Sequence, residues 1–296
     1  MPASCIRWAA SVGPPPSAWA ARENGGTAAR AGKRLFTMGL LDEREIESFE
    51  RDGYLILSGF FDAIEVGELR DATAEILRDA KRGSRGIGFD PWTTEPGDAL
   101  NPNRVYYYND IFLEHPRLDA HMRNPRLATV FCELYDNDID AFQSATVVKP
   151  AMMNFDFQGW HQDAPDYIPL SNYKLSSALT YLCEMGPDTG GTSLVPGSHR
   201  DGLFERGYVE MPDWPVKKRI IVGFEPYEPR IVTPEFQPGD VLIFHPCVMH
   251  RANSNYTDES KIGLINAYRS VDCIDIQQRS TFKADNIPIT RNRAVV

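Results

Sequence analysis

The sequence predicts a β-sandwich or barrel with helices packed outside it, and three observations carry that prediction. Helical periodicity is confined to Leu41–Leu134, short β-prone runs separated by turn residues fill most of the length that follows, and the bulk composition is globular. The 296 residues are 42% hydrophobic and 24% charged, which supplies a sizeable core for one large domain or two small ones.

Residues 1–37 are set apart by an Ala, Gly, Pro and Ser-rich composition in which five basic residues (Arg7, Arg22, Arg30, Lys33, Arg34) face one acid, Glu23. They read as a disordered leader or a start placed too early. An organelle transit peptide is the competing reading, although Pro14-Pro15-Pro16 interrupts any amphipathic helix. Residues 38–296 are then expected to form a single domain.

From Leu41 onward, Asp42 is an N-cap with Glu45 three residues on, Ile46 and Phe49 follow at helical spacing, and Asp52-Gly53 ends the helix. Tyr54–Leu57 reads as a short buried strand, and Ile64–Lys81 is amphipathic through Val66, Leu69, Ala72, Ile76 and Leu77. Many Gly, Pro, Asp and Asn residues make 82–103 an irregular loop. Helical pattern returns over Leu118–Leu134, broken near Asn124-Pro125. The strand candidates after it are Ala145–Val148, Ser177–Leu182, Thr192–Val195, Ile220–Val222, Val241–Phe244 and Gly263–Tyr268. Residues 200–237 carry Pro212, Pro215, Pro226, Pro229 and Pro234 around one brief strand, and read as a lid or insert.

Charge and cysteine usage exclude several function classes. Residues 38–296 hold 26 basic and 40 acidic residues, a net charge of −14, which repels phosphate backbones and anionic lipid. Neither nucleic acid nor a membrane surface is an expected partner, and no run approaches the roughly 18 apolar residues that a membrane span needs. The five scattered cysteines (Cys5, Cys132, Cys183, Cys247, Cys273) include no C-x-x-C and read as reduced thiols in a cytoplasmic-type compartment. Nothing in the chain sets an oligomeric state.

The stretch Gly159-Trp160-His161-Gln162-Asp163 is where chemistry enters. On an extended strand His161 and Asp163 share one face, with Trp160 and Gln162 opposite. A third ligand must come from another strand, and His250, which closes the run beginning at Asp240, is the candidate. Two imidazoles and one carboxylate leave three octahedral positions open, which suits non-haem Fe(II), while zinc hydrolases use the same ligand types. Alone, His-x-Asp is a common spacing, and a polar pair before the Pro165 turn is the competing reading.

Three blocks in order shift that balance: Trp160–Asp163 (WHQD), Asp188–His199 (DTGGTSLVPGSH) and Gln237–His250 (QPGDVLIFHPCVMH). With the opening helix and Arg51–Ile56, the chain resembles the phytanoyl-CoA dioxygenase-like family of Fe(II)/2-oxoglutarate oxygenases over about Leu41–Ser270. The resemblance implies a mainly β fold with flanking helices, the double-stranded β-helix or jelly roll. It implies Fe(II) on His161, Asp163 and His250, with 2-oxoglutarate and O2 as co-substrates. Such enzymes decarboxylate 2-oxoglutarate to succinate and insert oxygen into a substrate C–H bond, the protein supplying positioning and a dry pocket. The intact Asp163 favours hydroxylation over halogenation, for which relatives carry Gly or Ala there; desaturation, epoxidation and ring formation use the same triad.

In such families a basic residue about eleven positions after the second histidine binds the distal carboxylate of 2-oxoglutarate, and that position is Lys261 here. Lysine keeps the charge and lacks arginine's planar fork. Arg251 and Arg269 are rivals, and Ala252 stands where a short polar residue is common. Gln143, Thr180 and Arg104 are further co-substrate candidates, each with a competing reading as a wall or edge polar group. Tyr167, Trp214 and Tyr227 are the candidate substrate wall, or else core; Tyr106, Tyr107 and Tyr108 can line a pocket on one face at most. His115, His121, His199 and His245 are expected to be structural. The expected substrate is a free small molecule, such as a secondary-metabolite intermediate. The alternatives are an acyl-CoA hydroxylase, for which the acidic body offers no phosphate-binding cluster, a catalytically inactive jelly-roll binding protein, and a zinc hydrolase.

Overall fold

The structure, a computed structural model, describes residues 39–80, 87–89, 105–152, 159–166, 170–210, 217–274 and 287–296. The leader expected at 1–37 lies outside the described residues. Helix α1 (Glu43–Asp52) starts with the predicted reciprocal cap, in which Asp42 accepts from Glu45 N–H and Glu45 from Asp42 N–H. Strand β1 (Tyr54–Leu57) follows, and α2 (Ala63–Asp79) repeats the same box with Asp62 and Glu65. Each such cap is worth about 1 kcal/mol and makes the helix start local and unambiguous. Strands β2 (Ile87–Phe89) and β3 (Val105–Asn109) come next, so the 82–103 segment expected as loop contains a short strand. Pro116 and Pro125 open α3 (Pro116–Met122) and α4 (Pro125–Tyr135), with His115 and Asn124 as caps, and their junction is the expected break.

The rest of the chain is strands: β4 (Ile139–Lys149), β5 (Leu175–Tyr181), β6 (Thr192–Leu194), β7 (Arg206–Val209), β8 (Lys218–Ile221), β9 (Val241–Phe244), β10 (His250–Ala252), β11 (Lys261–Ser270), β12 (Ile287–Pro288), β13 (Thr290–Arg291) and β14 (Ala294–Val295). The large sheet is antiparallel in the order β1-β9-β5-β11-β4-β3-β2, with β12 beside β4. The smaller one pairs β10 with β6 and is widened by bridges from His161 to His250 and from Leu194 to Val232. Together they form the double-stranded β-helix.

The large sheet is buried on both faces, which is why its strands read as near-continuous apolar runs. On one face Val148, Ala178, Val241, Ile243, Leu264 and Tyr268 pack with Leu69, Leu77, Met122 and Phe131 of the helices. On the other, Leu179, Tyr181, Leu242, Phe244 and Ile265 meet Leu194, Phe236 and Val248 across the inter-sheet core. Residues 200–237, read as a lid, hold the antiparallel β7–β8 hairpin and a 3-10 turn at Glu225–Arg230. No described helix is long and apolar enough to cross a membrane.

Candidate metal centre

His161 and His250 face each other across an antiparallel bridge, each N–H donating to the other's carbonyl at 3.0 and 2.9 Å. Their rings lie 4.2 Å apart, centroid to centroid, and each residue is 6% exposed. Both side chains are held by the same local device. His161 Nδ1–H donates to the Gly159 carbonyl and His250 Nδ1–H to the Val248 carbonyl, each at 2.9 Å. That fixes the tautomer and turns each Nε2 lone pair inward, where both sit 3.7 Å from Asp163 Oδ1. All three ligand-type atoms lie within 4.8 Å of one another, close enough to share one ion.

Asp163 precedes the single 3-10 turn Ala164–Asp166, which carries its carboxylate under the two imidazoles. Burial pushes the Asp163 carboxyl above its usual range; His250 opposes that shift, Asp166 adds to it, and Arg219 and Arg206 counter it. A divalent cation would remove the penalty that burial imposes on this charge. The Cys247 thiol is pushed up to about 12 by burial and by Asp163, and it is not among the ligand-type groups that converge, which are those of His161, Asp163 and His250.

Trp160 and Gln162 point the other way, as the strand alternation requires. Trp160 stacks on Phe224 with centroids 4.5 Å apart, beneath the Arg251 guanidinium. Gln162 donates to the Cys247 and Gly202 carbonyls at 2.8 Å and accepts from Phe204 N–H at 2.9 Å. The hairpin docks on this strand: a Cβ at Gly159 would lie 2.1 Å from the Arg219 carbonyl oxygen, so only glycine allows the approach. Asp166 ties the hairpin down further through Arg206 at 2.8 Å and Arg219 at 3.3 Å. Neither pair leaves a local signal in the sequence, because they join residues 40 and 53 positions apart.

The other predicted residues separate into three groups. Lys261, Gly263 and Ile265 of β11 share the inner face with their register partners Lys149, Val147 and Ala145 of β4, and Gln143 lies on the same face. Gln143 closes a row across the large sheet, Phe244–Ser177–Ala267–Gln143, and the Phe244 ring is 4.6 Å from that of His250. The Lys261 ammonium donates to Glu259 at 3.1 Å.

Two expectations need correction. Thr180 does not face the inter-sheet space: it is fully buried on the helix-covered face, where its hydroxyl lies 3.1 Å from His121 Nε2. Tyr227 packs with Trp160, Phe204 and Phe224 in a cluster on the side of the strand away from His161. Of the rivals to Lys261, Arg251 lies over Trp160 on that same side, and Arg269 is at the far end of β11, paired with Asp140 and Leu175. Tyr108 belongs to the helix-side core, and Tyr107 is in register with Val147. Arg104, Tyr167 and Trp214 lie outside the described residues.

The four remaining histidines lie outside the cluster of His161, Asp163 and His250. His115 caps α3, accepting from Arg117 N–H at 3.1 Å, and His199 Nε2 meets the Glu50 carbonyl at 3.1 Å. His245 follows the end of β9 in a turn and is pushed down to about 3 by burial, so it is neutral.

Two imidazoles and a carboxylate converging between the sheets of a jelly roll define the facial-triad class of mononuclear non-haem oxygenases. The chain belongs to the phytanoyl-CoA dioxygenase family, which it matches over residues 49–263, and is an iron- and 2-oxoglutarate-dependent oxygenase. It is similar to the ectoine dioxygenase of Sphingopyxis alaskensis, 27% identical over 248 residues that cover 78% of this chain and 76% of the relative. The crystal structure of EctD from S. alaskensis with 2-oxoglutarate and 5-hydroxyectoine superposes with a TM-score of 0.66 at 22% identity, covering 84% of this chain and 86% of that one. The 2-oxoglutarate-dependent carbocyclase SnoK from nogalamycin biosynthesis superposes with a TM-score of 0.63 at 21% identity, covering 86% and 95%. These two structural likenesses are of fold.

Proposed function

We propose that the protein hydroxylates a C–H bond of a free small molecule, with Fe(II) held by His161, Asp163 and His250. The observation that carries this reading is the pair of Nδ1–H bonds to the Gly159 and Val248 carbonyls, which leaves both Nε2 atoms directed at one carboxylate. That donor set fits a hard-to-borderline divalent ion with open positions. Bound iron, with 2-oxoglutarate and dioxygen, supplies an oxidation coupled to decarboxylation of the co-substrate to succinate.

The chain's own groups bind and orient. Lys261, 13% exposed at its side chain, offers an ammonium for the distal carboxylate of 2-oxoglutarate, and Gln143 offers an amide from the row that ends beside His250. The inter-sheet core of Tyr181, Leu194, Phe236, Leu242 and Val248 excludes water from one side, and the β7–β8 hairpin covers the metal strand from the other. Relatives named for ectoine and for nogalamycin biosynthesis support a free metabolite over an acyl-CoA. The −14 body supports neither nucleotide, nucleic-acid nor anionic-membrane partners. Free Cys132, Cys183, Cys247 and Cys273 suit a reducing, cytoplasmic compartment.

Anaerobic addition of Fe(II) and then 2-oxoglutarate tests the reading. A weak visible charge-transfer band should form, and air should then release succinate faster in the presence of the right small molecule. Absence of both, or identical behaviour of wild type and His161→Ala, overturns it.

A further inference from the structure

We propose that Lys149 shares the distal carboxylate of 2-oxoglutarate with Lys261, so that two ammonium groups stand in for one guanidinium fork. The inference rests on the role of Lys261 given above and deepens it. Lys149 ends β4 and is in direct register with Lys261, which begins β11. Directly opposed residues hold their Cβ atoms about 4.5–5.5 Å apart, so two long side chains can converge on the two oxygens of one carboxylate. Alternation puts both on the inner face, with Ala145 and Ile265 four residues further in, and Ile265 packs in the inter-sheet core beside Phe244. Both are withdrawn from bulk water: Lys149 is 6% exposed and the Lys261 side chain 13%.

The surrounding turn is shaped around Lys149. Its stem lies against Gly190, where an added Cβ would sit 2.7 Å from Lys149 Cγ, and the backbone φ of +80° there independently demands glycine. Asn255 Nδ2 donates to the Lys149 and Pro150 carbonyls at 3.0 and 3.1 Å, which pins the end of the strand. Glycine at position 190 thus makes room for the lysine stem. Two like charges side by side in a site with little water repel each other, and an anion between them reverses that repulsion. Glu259, which accepts from Lys261, is 76% exposed, so water weakens its hold and a chelated carboxylate competes on favourable terms. A carboxylate bound by arginine receives two parallel N–H donors. Ammonium groups from adjacent strands supply the same two donors.

The test is equilibrium binding to the Fe(II)-loaded full chain without oxygen, read by the charge-transfer band. It compares 2-oxoglutarate with 2-oxovalerate, which keeps the chelating end and carries a methyl group in place of the distal carboxylate. Lys149→Met and Lys149→Gln should each raise the Kd for 2-oxoglutarate about ten- to hundredfold and leave that for 2-oxovalerate within about twofold. Adding Lys261→Arg to Lys149→Met should recover most of the loss, because one guanidinium provides both prongs. Unchanged 2-oxoglutarate affinity in both single variants, or equal losses for the two acids, overturns the proposal. A wild-type protein that shows no band, or binds both acids alike, removes the role of Lys261 itself and the inference with it.

Discussion

His161 and His250 on the inner face of the jelly roll are as buried as His121 on the helix-covered side, at 6%, 6% and 4% exposure. What differs is how their nitrogens are used. The first two each give Nδ1–H to a carbonyl two residues back and present Nε2 to Asp163. His121 has both nitrogens engaged: Asn266 Nδ2 donates to its Nδ1 at 2.8 Å, and its Nε2 meets the Thr180 hydroxyl at 3.1 Å. Burial therefore does not make a histidine a ligand. A ring nitrogen held toward a carboxylate by a bond at the opposite edge does.

Breaking the first arrangement should have the largest effect. His161→Ala should weaken Fe(II) binding beyond the about 10–100-fold that loss of an outer hydrogen-bond partner causes, with midpoints of chemical unfolding little changed for the metal-free protein. An iron titration monitored by equilibrium dialysis checks it. Breaking the second should do the reverse: His121→Leu leaves Thr180 and Asn266 buried without their partner, at about 1–3 kcal/mol each, while Fe(II) affinity at neutral pH stays within about twofold.

The same variant carries a pH signature. Burial pushes His121 down to about 4, so the folded protein holds it neutral while the unfolded chain protonates it from about 6.5. The unfolded state then binds more protons in that window, and the contribution of His121 to stability, complete above pH 6.5, falls away as pH drops toward 4. Denaturation midpoints between these values should decline less steeply in His121→Leu than in wild type. The smallest effect belongs to the hairpin anchor. Asp166→Asn weakens two pairs at a carboxylate still 40% exposed, so stability should fall by less than about 1 kcal/mol. Protease cleavage between residues 206 and 221 should rise a few-fold, with 2-oxoglutarate affinity unchanged.

Much of the fold was legible because its signals are short-range. The Asp42–Glu45 cap, the strand Tyr54–Leu57 and the strand Val241–Phe244 need only a few neighbouring residues to declare themselves. Strand β4 extends well beyond the Ala145–Val148 core of its apolar run into the polar Asp140, Gln143 and Ser144, which pairing with β11 across a bulge at Ala267/Tyr268, and with β12 at Asp140, keeps in the sheet. Thr180 shows a different limit. Alternation says that it faces away from Leu179 and Tyr181, but not that helices cover its side.

The sequence by itself determined a β-sandwich or barrel and the ligand-type residues, because His161 and Asp163 sit two apart on a strand and His250 closes a recognisable run, while its resemblance to the family over about Leu41–Ser270 implied the jelly roll and the class of chemistry. Only the tertiary structure decided which nitrogen each histidine presents, that Thr180 and Tyr227 turn away, that Asp166 holds a hairpin, and that Lys149 stands beside Lys261. The last depends on strand register, which pairs residues more than a hundred positions apart and leaves no periodic trace in either segment alone; the others depend on local backbone bonds or on packing between segments dozens of positions apart.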